Sequence, residues 1–90
     1  MKQIKFEGIV FQEEKNYVAY CSELDVSSCG GTIEQARENL KTAVRLFLEE
    51  AEKMGTLEMI LSEAGYQKNE IGWLSPRIVS TELMNVGLVI

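Results

Sequence analysis

The sequence contains no histidine. The commonest general base and metal ligand at neutral pH is therefore missing, and a serine or cysteine nucleophile would need some other base. Cysteine is scarce too. Cys21 and Cys29 have neither metal-ligand spacing nor a C-x-x-C arrangement, and a zinc site built from two thiols would have to be completed by carboxylates. Both are expected to be small buried apolar side chains. There is one proline, Pro76. No stretch approaches the ~18 consecutive apolar residues of a membrane span. The first residues mix Lys2, Lys5 and Glu7 among apolar side chains, so a signal peptide's apolar core is lacking. A cytoplasmic location with no membrane partner is expected.

Positive charge is also in short supply, with 9 Lys and Arg against 14 Asp and Glu and a net charge of -5. Nucleic-acid phosphates repel such a chain, which argues against direct DNA binding, whereas a basic protein is attracted to it. At 90 residues the chain is expected to be a single domain, 1–90, whose helices and sheet share one core.

The strongest positive signal is a helix over 33–54. Ile33, Ala36, Leu40, Ala43, Val44, Phe47, Leu48, Ala51 and Met54 recur at steps of three and four, which lays one apolar stripe along a helix. Phe47, at mid-stripe, is expected in the core. Thr32 can cap the first turn and Gln35 can reach back to the Thr32 N–H. The pair Gly30-Gly31 lets the chain turn into that cap, and Gly55 suits a left-handed C-terminal position.

Before the helix, residues 3–11 alternate as a strand, with Ile4, Phe6 and Val10 on one face and Lys5 and Glu7 on the other. Ile9 and Phe11 blur the pattern, as they would if its far end were covered on both sides. Residues 12–16 are polar and form a hairpin turn. A second strand spans 17–21, a loop 22–25, and a short third strand 26–29. After the long helix a second helix is expected over 56–64, with Leu57, Ile60, Leu61 and Ala64 inward. Residues 66–75 should form a loop and 78–83 a fourth strand. The fold class is therefore α+β: an antiparallel sheet, in the order strand-strand-strand-helix-helix-strand, packed on one long helix. An uncovered sheet face and the apolar residues Val86, Leu88, Val89 and Ile90 point to a homo-oligomer, the tail adding a strand or packing on another copy.

Chemistry-bearing constellations are sparse. Glu23 and Asp25 flank Leu24 and could be imagined as a metal-binding pair; without a third ligand they read as a solvated turn. Glu7, Glu23 and Asp25 are the carboxylates that a metal-dependent nuclease would have to use. Gly30-Gly31-Thr32 precedes a helix but lacks the lysine and spacing of a phosphate loop, so capping explains it better. Arg37, Lys41 and Arg45 form a basic row among Glu34, Glu38, Glu49 and Glu50, which reads as a solvated helix face with weak ion pairs. No catalytic, cofactor-binding or metal residue is assigned, no cofactor is implied, and the chain is not read as an enzyme.

Residues 17–44 resemble the HicB antitoxin family. That family typically reads Tyr-Val-Ala, Cys-Pro-Glu-Leu, Gly-x-Thr-x-Glu-Glu-Ala and Asn-Leu. Glu23, Leu24, Gly30, Thr32, Glu34, Ala36, Asn39, Leu40 and Ala43 match it. Ser22 stands for the usual proline, Asp25 for a glycine and Gln35 for a glutamate. Ala64-Gly65-Tyr66, Trp73 and Ser75-Pro76 look like the ending of compact members that lack an appended DNA-binding segment. The resemblance implies a partial, catalytically dead ribonuclease-H-like fold that assembles as dimers or tetramers. It also implies an antitoxin that neutralises a small basic HicA-type messenger-RNA-cleaving toxin by covering its active site. The alternatives are a stand-alone oligomeric regulatory or scaffolding domain of the same fold, and a metal-dependent nuclease.

Overall fold

A computed structural model describes residues 3–89 of the chain. Strand β1 (Gly8–Glu13) pairs antiparallel with β2 (Asn16–Cys21), and β2 pairs antiparallel with β3 (Val26–Gly30). Helix α1 (Ile33–Met54) and a short helix α2 (Leu57–Glu63) follow. Two two-residue strands, β4 (Gln67–Lys68) and β5 (Trp73–Leu74), then form a separate small hairpin. The main sheet has the order β1-β2-β3, and the architecture is a mixed α+β fold.

The long helix starts and stops where its caps require. Thr32 Oγ1 accepts the Gln35 N–H at 3.0 Å. The Gln35 side chain reaches back, but to the Gly31 N–H at 3.1 Å rather than to that of Thr32. Gly55 takes φ 75, and the Thr56 N–H closes the end on the Ala51 carbonyl at 2.9 Å. The glycine before the cap serves close approach rather than an unusual dihedral. A Cβ on Gly30 would lie 2.6 Å from the Ala36 nitrogen, so only glycine lets the first turn of α1 sit on the end of β3.

The core is built from Ala19, Cys21, Leu24, Ala36, Leu40, Val44, Leu61 and Tyr66, with Ile4, Phe6, Val10, Leu57, Ile60 and Ala64 packed around it. Ile4 and Phe6 contribute from an extended segment that precedes the paired part of β1. The Tyr66 hydroxyl donates to the Lys5 carbonyl and so ties that segment to the stretch that follows α2.

Several expectations need correction. Ile33, Phe47 and Met54 are 49%, 38% and 68% exposed, because the stripe is wider than its contact with the sheet. The β1–β2 ladder continues to the Glu13–Asn16 pair, so the turn is the two residues Glu14-Lys15. Within the expected loop lies the β4–β5 hairpin. The Asn69 side chain accepts the N–H groups of Ile71 and Gly72, and Lys68 lies 5.9 Å from the Trp73 ring centre. Residues 78–83 form no strand, since no neighbouring strand offers them a ladder. Cys29 is exposed. Ile90 lies outside the described residues.

The burial pattern makes Leu40, not Phe47, the anchor of the helix. Leu40→Ala should lower the unfolding free energy by about 3 kcal/mol, the usual cost of a core cavity. Phe47→Ala should cost clearly less, because part of the ring already meets water and the surroundings leave no closed cavity. Urea denaturation of the two variants checks the order.

Candidate interaction surface

Alternation divides the sheet into two unlike faces. Val10, Tyr17, Ala19, Cys21 and Val26 pack into the core beneath α1. Ile9, Phe11, Val18 and Tyr20 have the opposite parity and lie on the face away from the helix. The register sets them side by side, with Ile9 opposite Tyr20 and Phe11 opposite Val18. Cys29 continues the row across β3, opposite Val18. Ile9 is 42% and Phe11 53% exposed, so the interruption in the β1 pattern marks a bare face and not a doubly covered strand.

Carboxylates stand at both ends of this apolar face. Glu13 shares the parity of Ile9 and Phe11 at one end, beside the Glu14 turn. At the other end Asp25 accepts the Tyr20 hydroxyl at 3.0 Å, and that hydrogen bond raises the tyrosine pKa. Asp25 holds φ 55, a left-handed conformation that costs a residue with a Cβ about 1 to 2 kcal/mol.

Of the three carboxylates a nuclease would need, Glu7, Glu23 and Asp25, the last two have separate partners. Glu23 accepts the Glu7 N–H at 2.9 Å and faces the Cys21 thiol at 3.6 Å, while Asp25 turns to Tyr20. Among the described residues no group of three or more Cys, Asp or Glu could hold a metal ion. Arg37, Lys41 and Arg45 are exposed, and none makes an ion pair among the described residues, contrary to the expected weak pairing. Arg37 and Lys41 edge a cleft of about 530 Å³ that also contains Glu7, Glu23, Ser75 and Pro76. Lys5 lines it too, so three cations stand among two carboxylates. Lys41 and Arg45 edge an adjoining cleft lined by Ile4, Phe6, Leu48, Leu57 and Trp73.

Sequence reasoning expected an uncovered sheet face but did not name its residues, and it met Ile9 and Phe11 only as a disturbance in β1. The missing information was the register, which is set by the Glu14-Lys15 turn and brings Val18 and Tyr20 beside Phe11 and Ile9. No described helix is long and apolar enough to cross a membrane. No family model, curated protein or solved structure matches the chain.

Two buried acids give the fold an alkaline limit. Burial pushes the Cys21 thiol from its ordinary 9.0 up to about 11, and nearby Glu23 adds to the shift. Burial likewise pushes Tyr66 from 10.0 up to about 12. Each group is neutral when protonated, and the folded state holds its proton more tightly than the unfolded chain does. Their contribution is complete below about pH 9 and is lost as the pH rises through the folded values. Urea midpoints should therefore fall progressively between about pH 9 and 12, and Cys21→Ala should remove the earlier part of that decline.

Proposed function

We propose that the chain is an antitoxin-like protein-binding module of the HicB type. In this reading it acts in the cytoplasm and neutralises a small basic HicA-type ribonuclease by covering its active site. It works by binding and not by catalysis. The carrying observation is the apolar sheet face of Ile9, Phe11, Val18 and Tyr20, edged by Glu13 and Asp25 on a chain of net charge -5. Apolar area at the centre supplies affinity, and the acidic rim steers and orients a basic partner.

Positions quoted for the resemblance also have structural work that suits their residue types. Asp25, which stands where the family uses glycine, has a positive φ. Gly30 sits under the helix start, Thr32 caps it, and Asn39 donates to the Cys29 carbonyl at 2.7 Å, fastening α1 to β3. These are local requirements of one strand–loop–strand–helix unit, and they support the reading for residues 17–44. The partial ribonuclease-H-like topology belongs to the same proposal. A second reading, a stand-alone oligomeric scaffolding domain, draws on the exposed apolar residues beyond Pro76.

An equimolar amount of the chain should stop RNA cleavage by a small basic HicA-type ribonuclease. Phe11→Asp should weaken the complex at least about tenfold without lowering the melting midpoint, because Phe11 lies outside the core. An unaffected ribonuclease would leave the scaffolding reading. RNA turnover by the chain itself with magnesium or manganese, lost in Glu23→Ala or Asp25→Ala, would favour the nuclease. The local geometry has its own check. Asp25→Gly should be more stable than Asp25→Ala by about 1 kcal/mol, since both lose the Tyr20 contact and only alanine keeps the left-handed cost. Thermal melting of both variants measures the difference.

A further inference from the structure

Residues 77–89 leave the body of the protein without forming helix or strand. Among the described residues their one hydrogen bond is local, from Ser80 Oγ to Glu82. Yet the segment is apolar: Met84, Val86 and Leu88 are 81%, 85% and 77% exposed. They alternate with Asn85 and Gly87, so an extended chain puts all three on one side. That is the pattern of a half-buried strand with no sheet to join.

The main sheet has a vacant place for it. The order β1-β2-β3 leaves β1 and β3 as edges. Helix α1 lies chiefly over β3 and much less over β1, and the Cys29 carbonyl of β3 already accepts from Asn39. The outer edge of β1 is thus the more open of the two. Its six residues, Gly8–Glu13, give room for the six residues 84–89, which lie within the uncharged stretch 83–90.

We propose that residues 84–89 of one copy add as a strand to the outer edge of β1 in a second copy, and that the exchange is reciprocal. Ser75 and Pro76 line the same cleft as Phe6, Glu7 and Gly8, so the tail departs beside the beginning of its own β1. In a two-fold pair each tail therefore starts close to the edge that receives the other, and the contact closes after two copies. The seven residues 77–83, at roughly 3.3 Å each, supply roughly 23 Å of reach between the two bodies. Charge selects this occupant over a basic protein. Residues 77–89 carry one cation, Arg77, and one anion, Glu82, and are neutral as a whole. An acidic second copy does not repel such a strand, and a basic partner gains nothing from it by charge. Backbone pairing would supply the ladder, and Met84, Val86 and Leu88 would extend the apolar row begun by Ile9 and Phe11.

The test uses the full chain and a Val86→Pro/Leu88→Pro double variant. Proline removes the N–H groups the new strand needs, and in the monomer these side chains lie outside the core. Sedimentation at micromolar concentration should give twice the 10.1 kDa chain mass for the wild type. The variant should keep its helical circular dichroism and dissociate at least about 100-fold more readily. Alternate β1 amides should exchange slowly in the wild type, more slowly as concentration rises, and quickly in the variant. A monomeric wild type would overturn the proposal, as would a dimer that survives both prolines. Protection of β1 independent of concentration would mean the tail folds on its own sheet, and protection seen only with a basic protein present would mean another partner; either overturns it. None of these readouts depends on ribonuclease inhibition, so the two proposals can fail separately.

Discussion

The fold depends on how closely one helix can approach one face of a narrow sheet. Three strands at ~4.8 Å spacing are roughly as wide as one helix with its side chains. A single helix therefore suffices to cover one face. The contact is made close by small residues: Gly30 under the first turn, Ala36 above it, and Ala19 and Cys21 on the central strand, the last three completely buried. A side chain at Gly30 would push the start of α1 away, and Leu40 and Val44 would lose their seats in turn.

That economy leaves the core thin. Leu61 from α2 and Tyr66 close its end, and the Tyr66–Lys5 hydrogen bond holds the first extended segment against it. Among the described residues no polar side chain beyond the Cys21 thiol and the Tyr66 hydroxyl is buried, so the interior is specified mainly by shape and by the caps of α1. A small domain built this way exposes apolar area on the sheet face the helix cannot reach and gains stability from whatever covers it. Ile9 and Phe11 are exposed for the same geometric reason that Ala19 is buried: neighbouring strand residues point to opposite sides.

What could be read beforehand follows the range of the interactions. Helix α1 was legible because its signals are local: Thr32 and Gln35 are three residues apart, Gly55 follows the last turn, and the periodicity runs for 22 residues. The inward side of α2 was legible for the same reason. Phe47 was misplaced because period identifies a stripe but not the width of the surface that meets it. The β4–β5 hairpin escaped because strands of two residues have no period, although Asn69 with Gly72 is a turn signal. Residues 78–83 have the composition of a strand, but a strand exists only beside another, and composition does not name the neighbour. The candidate surface was half visible. Ile9 and Phe11 disturbed a pattern, but joining them to Val18 and Tyr20 required the register that two turn residues impose.

The two bare apolar regions differ in charge, and under the two proposals that difference would let one small chain use both. The sheet face lies between Glu13 and Asp25, so its surroundings attract cations and disfavour a second acidic copy. The stretch 84–89 is uncharged and presents a backbone as well as side chains, so it meets an open strand edge of either charge without electrostatic penalty. Self-association through the tail consequently need not compete with a basic partner on the face. It would instead bring two acidic bodies together, strengthening the field that draws such a partner in. Repulsion between the bodies favours a contact that keeps them apart on extended connections. In the proposed exchange residues 77–83 would form such a connection, and a compact interface between the two acidic-rimmed faces would not.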